Sequence, residues 1–263
     1  DTKMLNKELI NKIVWWIPKR ELRNNIRNIL LSYMYISKIN NNKKNLEKFN
    51  DVLDFGKKLY ESKLNIEKQT NINFQSEIEQ DFISYLIFSG NKKGFFIDIG
   101  ANDGIKISNT YFFEKLGWSG ICVEANPIIY EQLQKNRNCD LYNCAILDKK
   151  MDNVKLVNYE GHSLMAKVDI SESNENSINI KSITFDDLMY NYKNINSVDL
   201  LSIDVEGFEL NILKTIDFDK YDIKLIIVEN NEKEGILKEY MKSKGYRLLI
   251  DMYRYHDLAF VKD

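Results

Sequence analysis

The residues with the clearest chemical potential are two carboxylates where the apolar run FFIDI passes into a glycine-bracketed turn. Asp98 belongs to the end of this run, and Gly100, Asn102, Asp103 and Gly104 belong to the turn. Glycine permits backbone angles and close approaches that a Cβ atom would forbid, and ligands of open α/β sheets bind at the carboxyl ends of strands. Acids at such a turn repel a pyrophosphate at short range. The turn therefore predicts a site for a ligand that has cationic groups and hydroxyls and no phosphate.

A further carboxylate, Glu124, ends the apolar run GICVE, 26 positions after Asp98. An acid about twenty residues beyond the first turn grips the ribose of doubly wound nucleotide sites, because a carboxylate accepts hydrogen bonds from both hydroxyls. S-adenosylmethionine (SAM) has a ribose diol, a cationic sulfonium, an amino group and no phosphate, so we expect SAM as the ligand. The expected SAM site comprises Asp98 and Gly100 at the methionine part, Asn102, Asp103 and Gly104 in the turn, Glu124 at the ribose, Asn143 and Ala145 near the adenine, and Ser108 and Asn109 at the start of the crossover helix.

Three more acids fall within the run IDVEGFE at residues 203–209. Methyl transfer from SAM to an alcohol requires alignment of the oxygen and removal of its proton, so Asp204 and Glu206 are catalytic candidates. Two interpretations are open. Asp204 could take the proton itself, with a pKa raised by Glu206 and partial burial, or Asp204 and Glu229 could hold Mg²⁺ or Mn²⁺, which lowers the pKa of the alcohol. Glu206 and Glu209 also suit the first turn of a helix, where acids act as caps.

The acceptor side has weaker signals. The two histidines, His162 and His256, could each act as a base near neutral pH. His162 is the preferred catalytic candidate because it follows a glycine inside a polar insertion, and His256 is assigned to the acceptor. Asn230 and Asn231 follow the acid that ends the preceding apolar run, where two amides could hydrogen-bond sugar hydroxyls.

The elements that must position these residues alternate strand and helix from residue 77 onward, which predicts a mostly parallel α/β sheet with helices on both faces. Helices are expected at residues 77–88 and 110–116. Seven strands are expected, at residues 95–99, 121–124, 141–145, 198–203, 225–229, 246–250 and 258–261. Residues 154–183 are expected to form an insertion over the site, with antiparallel strands at residues 155–159 and 177–181. The apolar spacing in residues 1–75 predicts a helical extension.

The composition is that of an ordinary globular chain of 263 residues, with 44% hydrophobic residues and a net charge of −2. No apolar run reaches the roughly 18 residues of a membrane-spanning helix, and three cysteines indicate reduced thiols and a cytoplasmic location. Residues 1–75 carry 15 Lys and Arg against 8 Asp and Glu, and the remainder carries 22 against 31. The acidic remainder argues against a nucleic-acid substrate. The N-terminal helices, with Trp15 and Trp16, could form a homo-oligomer interface.

The runs at residues 96–104, 108–110, 120–127 and 200–209 together resemble the FkbM family of SAM-dependent O-methyltransferases. The resemblance implies a class I, Rossmann-like methyltransferase domain at residues 76–263, SAM as donor, and a hydroxyl acceptor that is often on a sugar or polyketide. The run WWIPKR at residues 15–20 is similar to stretches attached to bacterial surface-polysaccharide enzymes. That similarity implies a sugar acceptor, either nucleotide-activated or part of a capsule or other surface glycan.

Other functions stay open on the sequence alone. The acceptor could be a phosphorylated or other small molecule. A nicotinamide-dependent oxidoreductase is a further alternative, although its G-x-G-x-x-G fingerprint is replaced here by G-A-N-D-G. A non-catalytic module would bind SAM without transferring its methyl group.

Overall fold

The structure is a computed structural model, and it describes residues 49–88, 91, 93–157, 167–169, 177–195, 197–231, 235–252 and 257–262. Predictions for residues 1–48, for His162 and for His256 lie outside these residues. The described helices are α1 (Phe49–Thr70), α2 (Gln80–Ile87), α3 (Tyr111–Leu116), α4 (Pro127–Asn136), α5 (Phe185–Met189), α6 (Glu209–Thr215) and α7 (Ile236–Ser243). The described strands are β1 (Phe95–Ile99), β2 (Ser119–Val123), β3 (Asp140–Tyr142), β4 (Ala145–Ile146), β5 (Met151–Val157), β6 (Lys167–Asp169), β7 (Ser177–Ile183), β8 (Ser197–Ile203), β9 (Asp222–Glu229), β10 (Tyr246–Met252) and β11 (Asp257–Lys262).

Seven strands form the main sheet, in the order β3-β2-β1-β8-β9-β11-β10. Neighbouring strands are parallel except at β11, which is antiparallel to both β9 and β10. In the centre, Ile97 of β1 lies opposite Ile121 of β2 and Leu201 of β8. The carboxyl ends of β1, β2, β8 and β9 therefore meet at one edge of the sheet. The predicted seven-stranded, Rossmann-like α/β fold is confirmed.

The central strand β1 is buried along its whole length, as expected of a parallel strand that is covered on both faces. Its side chains alternate between the two faces. Phe96 packs in a core with Phe113 and Trp118, whereas Ile97 packs in the opposite core with Phe185. Asp98 is the exception in this apolar strand. It lies on the same face as Phe96, and it is 5% exposed.

The segment before β1 packs firmly on the sheet's helices. The Phe74 ring stacks on Phe112 of α3 with 3.9 Å between centroids, and Lys63 of α1 forms a 2.6 Å ion pair with Glu79. The helix expected to begin at residue 77 begins at Gln80, because Glu79 has a φ of 71°. None of the described helices combines the length and apolar character that crossing a membrane requires.

A second sheet, in the order β4-β7-β5-β6, follows β3. The predicted antiparallel pair is confirmed, since Lys155 of β5 lies opposite Asn179 of β7. The predicted third strand is present as β3, but its predicted end at residue 145 is wrong, because the chain leaves the main sheet after Tyr142 and Ala145 pairs with Ser182 in the second sheet. The sequence did not reveal this break because residues on both sides of it are apolar and fit either sheet.

Candidate active site

A pocket opens at the carboxyl ends of β1, β2, β8 and β9. Its polar border includes Asp98, Asn109, Glu124, Asp204 and Glu229. Its apolar border includes Phe208 from the loop after β8, together with residues from the loop before β4 and from the second sheet, which are Cys144, Ala145, Ile146, Leu156 and Val168. The pocket therefore combines charged groups at the strand ends with an apolar wall on one side.

The glycine turn and the acid cluster touch each other in this pocket. The Asp204 amide donates a 3.0 Å hydrogen bond to the carbonyl oxygen of Ile99. Gly100 has a φ of +87°, and a Cβ atom on it would lie 1.7 Å from the carbonyl oxygen of Asp204. Glycine is therefore needed for its conformation and also for the close approach of two strand ends.

The rest of the turn is held by its own side chains. Asn102 adopts a φ of 50° and borders the pocket. The Asp103 carboxylate accepts hydrogen bonds from the amides of Ile105 and Lys106 at 2.9 and 2.8 Å. Asp103 and Gly104 do not border the pocket. Their position agrees with a role in shaping the turn.

Glu124 stands at the end of β2 and borders the pocket. Its two carboxylate oxygens accept hydrogen bonds from the amides of Asn102 at 2.9 Å and Asn126 at 2.8 Å. Burial raises its pKa, and these amides oppose that shift because they stabilise the ionised form. Each carboxylate oxygen keeps a second lone pair. Glu124 is thus fixed in place and still able to accept from a diol.

Ser108 and Asn109 have different roles. The Ser108 hydroxyl accepts hydrogen bonds from the amides of Thr110 and Tyr111 at 3.2 and 3.1 Å, so it caps α3. Asn109 donates to the Ser202 hydroxyl at 3.0 Å, and its Oδ1 is buried without a hydrogen-bond partner among the described residues. Both border the pocket. Asn109 therefore brings a buried, unpartnered amide oxygen to the border of the pocket.

Of the two residues expected near the adenine, Ala145 borders the apolar wall of the pocket. Asn143 does not border the pocket. It is exposed, and its amide donates to the carbonyl oxygens of Glu124 and Ala125 at 2.8 and 3.3 Å. Asn143 thus ties the break after β3 to the end of β2, and the second sheet supplies the wall.

Three carboxylates gather where β8 and β9 end. One oxygen each from Asp204, Glu206 and Glu229 lies within 4.8 Å of the others. Burial raises the pKa of Asp204, a hydrogen bond with Glu229 opposes this shift, and the charges of Asp257, Glu206 and Glu209 raise the pKa further. Burial followed by the Asp204 charge raises the pKa of Glu229. Solvent reaches Asp204 through the pocket although protein surrounds it on most sides, so the Asp204–Glu229 pair can share one proton near neutral pH.

The loop after β8 is held by Glu209, which is 4% exposed. One Glu209 carboxylate oxygen accepts hydrogen bonds from the amides of Val205 at 3.2 Å and Gly207 at 2.8 Å. Both amides precede α6, so Glu209 holds the loop and does not supply the helix cap that the sequence left open for it. Glu206 in the same loop has a φ of 59° and borders the pocket. The loop therefore turns Glu209 inward and Glu206 toward the site.

The predicted acceptor residues lie beside the acid pair. Asn231 donates a 2.7 Å hydrogen bond to Glu229, and the Oδ1 of Asn230 is buried without a hydrogen-bond partner among the described residues. Neither residue borders the pocket. Asn231 therefore orients Glu229.

Sequence reasoning missed three residues. Glu77 borders the pocket, although it precedes the first strand. Asp257 lies opposite Glu229 in the β9–β11 register, and burial, with Glu229 and Glu77 nearby, raises its pKa to about 7. Arg137 lies beneath the glycine turn. Of the three, Glu77 alone borders the pocket, and long-range packing determines the place of each. The position of Asp257 beside His256 was the one sequence signal.

Comparison with known proteins places this site in a family. The chain matches the methyltransferase FkbM domain over residues 98–248, which is more than half of its length. A search of curated proteins finds no significant match. Solved structures with a similar fold include the METTL16 MTase domain, at 11% identity and a TM-score of 0.41, covering 75% of this chain and 76% of that one. Another is a TehB-like SAM-dependent methyltransferase from Corynebacterium glutamicum, at 13% identity and a TM-score of 0.37, covering 78% of this chain and 96% of that one. A third is the human methyltransferase 10 domain containing protein, at 12% identity and a TM-score of 0.37, covering 79% and 96%.

The matched residues include the glycine turn, Glu124, the acid cluster and Glu229. The site and the family match lead to the same conclusion, which is that the chain belongs to the FkbM family and is a SAM-dependent methyltransferase.

Proposed function

We propose that the protein transfers the methyl group of SAM to a hydroxyl of a sugar, either nucleotide-activated or part of a bacterial capsule or other surface glycan. The observation that carries this proposal is the Asp204–Glu229 pair, whose raised pKa values make it a proton acceptor near neutral pH. Its backbone contact with the glycine turn supports an acceptor oxygen that reacts beside the donor.

The donor site that we propose fits SAM in its chemistry. Asp98 supplies a negative charge for the methionine ammonium, Glu124 accepts from the ribose hydroxyls, and the wall at Ala145 suits an adenine ring. Gly100 lets the donor turn lie against the end of β8, since a Cβ atom there would meet Asp204. The remaining proposed donor residues are Asn102, Asp103, Gly104, Ser108, Asn109 and Asn143.

SAM supplies an electrophilic methyl group when it is bound. The chain's own residues then have two tasks, which are alignment of the hydroxyl and removal of its proton. Alignment contributes the larger part, since well-oriented reactants gain about 7–11 kcal/mol. A general base adds about 10²–10⁴-fold in rate. We assign the base to Asp204, with Glu229 holding the shared proton and Glu206 helping to raise the pKa of Asp204; His162 is the alternative base.

A divalent cation is a second way to activate the hydroxyl. The carboxylate oxygens of Asp204, Glu206 and Glu229 lie within 4.8 Å of one another. This spacing suits Mg²⁺ or Mn²⁺, because such ions are held by carboxylates at about 2.0–2.1 Å, and a bound ion would oppose the repulsion that raises the pKa of these acids. The chain's residues would then position the hydroxyl rather than take its proton.

The acidic end of the pocket suits the hydroxyls of a sugar. Its described border includes Glu77, Asp204, Glu206 and Glu229, and carboxylates accept hydrogen bonds from hydroxyls but repel phosphates, so the phosphates of a nucleotide-activated sugar would lie away from these acids. We therefore place the sugar here, with Asn230, Asn231 and His256 as further contacts, and expect no nucleic-acid polymer as partner. A cytoplasmic location is supported by the free thiols of Cys122, Cys139 and Cys144. We also propose a homo-oligomer that forms through the N-terminal helices.

A screen of nucleotide-sugars and glycan fragments with labelled SAM tests the proposal. We expect label in one class of sugar, loss of transfer in Asp204→Asn, and unchanged binding of S-adenosylhomocysteine (SAH) by that variant. Loss of transfer with a chelator, restored by Mg²⁺ or Mn²⁺, would favour the metal interpretation over the direct base.

Other outcomes support the rival functions. SAH binding without transfer to any sugar would favour a non-catalytic module, and label only in phosphorylated or other small molecules would move the acceptor outside the sugars. Binding of NADH in place of SAH would support an oxidoreductase.

A further inference from the structure

Arg137 follows the last residue of α4, and its side chain lies in the core beneath the glycine turn. It is only 3% exposed, and its guanidinium carbon lies 5.3 Å from the centre of the Phe96 ring. A buried charge is costly unless it is paired and hydrogen-bonded. The contacts of Arg137 therefore explain why the fold keeps it.

These contacts join the two ends of the loop that follows the turn. Nη1 donates to the carbonyl oxygen of Gly104 at 3.1 Å and to the Ser108 hydroxyl at 3.4 Å. Nη2 donates to the Thr110 hydroxyl at 3.0 Å. Nε donates to Glu114 of α3 at 2.6 Å. One side chain thus fixes the shape of the loop from residue 104 to residue 110.

The same network reaches the pocket through a second hydrogen bond. The Thr110 hydroxyl, which accepts from Arg137, donates to Asp98 at 2.5 Å. Asp98 borders the pocket, and Thr110 is fully buried. Arg137, Thr110 and Asp98 therefore form a buried chain in which each donor polarises the next.

The charge of Arg137 also acts on Asp98 directly. Burial raises the pKa of Asp98, and the Arg137 charge and the Thr110 hydrogen bond oppose this rise. Burial lowers the pKa of Arg137, but Cys122, Asp98 and Glu114 outweigh it and hold that pKa above its usual value. Arg137 is thus a permanent cation, and it favours the ionised form of Asp98.

We propose that Arg137 is a positioning residue for the methyl donor, which acts through Thr110 to keep Asp98 oriented and negatively charged toward the ammonium of the methionine part. The proposal rests on the donor site proposed above. It predicts a selective effect. Weakening the network should affect ligands that carry the methionine ammonium and spare ligands that lack it.

Binding of two probes separates this role from a merely structural one. SAH carries the amino-acid part, whereas 5′-methylthioadenosine keeps the nucleoside and lacks the ammonium. Calorimetric titration of Arg137→Met should show SAH affinity reduced at least about tenfold, as expected when a hydrogen bond to a charged group is lost. Affinity for 5′-methylthioadenosine should stay within about twofold, and Arg137→Lys should recover part of the SAH affinity because it keeps the charge.

Thr110→Val provides the second variant if Arg137→Met does not fold. It preserves shape and removes only the hydroxyl between Arg137 and Asp98, so it should produce the same selective loss. Lys238→Met is the matched control, because it breaks a 2.5 Å ion pair with Asp251 at residues that do not border the pocket. It should bind both probes like the unmodified protein.

Asp98→Asn distinguishes the failure of this proposal from failure of the donor site. If Asp98→Asn loses SAH selectively but Arg137→Met and Thr110→Val weaken both probes equally, or neither, the positioning role of Arg137 is overturned and the donor site stands. If Asp98→Asn itself shows no selectivity, the assignment of Asp98 to the ammonium fails, and the role of Arg137 fails with it.

Discussion

Replacement of Gly100 by alanine tests the contact between the donor turn and the acid cluster. The added methyl group would lie 1.7 Å from the carbonyl oxygen of Asp204, whereas Cβ atoms essentially never approach a neighbour within 3.0 Å. The obstacle is backbone, which cannot rotate away as a side chain can. The hydrogen bond from the Asp204 amide to Ile99 should lengthen or break.

The magnitude has two parts. A non-glycine residue at the observed φ of +87° costs about 1–2 kcal/mol, and insertion of a methyl group into a packed site costs about 1–3 kcal/mol. We therefore expect Gly100→Ala to lose about 2–5 kcal/mol of unfolding free energy. The strand ends must also separate by more than about 1 Å, and a displacement of that size in a catalytic group costs about 100-fold in rate.

Gly245→Ala is the matched control. Gly245 has a nearly equal φ of +80°, but a Cβ atom there would meet nothing within 4 Å, so this variant isolates the backbone strain of about 1–2 kcal/mol. Urea unfolding measures the unfolding free energy of both variants, and calorimetric titration measures their affinity for SAH. Equal loss of stability in the two variants, with normal SAH binding by Gly100→Ala, would refute the inferred contact.

Two further predictions concern the acids. The pKa of Asp204 is raised in the folded protein, so folding favours its protonated form. The contribution of Asp204 to the unfolding free energy is therefore complete below its ordinary pKa, and it is lost as pH rises through the raised pKa. Asp204→Asn should thus be more stable than the unmodified protein at about pH 8, by up to about 1 kcal/mol because solvent screens the group. Urea unfolding at about pH 4 should show no difference between the two proteins. A gain in stability that does not change with pH would contradict this prediction. Glu209→Ala should lose about 1–3 kcal/mol because the amides of Val205 and Gly207 lose their acceptor, and it should slow methyl transfer. Glu239→Ala, at an exposed position of α7, is the control in the unfolding and methyl-transfer assays. Equal unfolding free energies of Glu209→Ala and Glu239→Ala would mean that Glu209 does not support the loop.

Much of the fold was predictable because its signals are local. The strands β1, β8 and β9 read as apolar runs since both of their faces are covered, and Gly100 marks the turn because few other residues tolerate its conformation. The break after Tyr142 was not predictable. Residues on both sides of it are apolar, and only the pairing of Ala145 with Ser182 determines which sheet they join.

The site shows the same division. Glu124 and Asp204 could be assigned from the sequence, because acids at the ends of parallel strands meet at one edge of the sheet. The metal interpretation already placed Glu229 beside Asp204, whereas the placement of Asp257 opposite Glu229 depends on the order of strands. The role of Glu209 in holding the loop was not predicted, since spacing does not show which way a side chain turns.

The sequence by itself determined the fold class, the donor turn and the family resemblance, because these depend on residue types at short spacing. The tertiary structure decided which charges interact. Arg137 lies 39 positions beyond Asp98 in the chain yet connects to it through Thr110. Electrostatic interactions depend on distance and burial in space, and the positions of these groups along the chain do not contain that information.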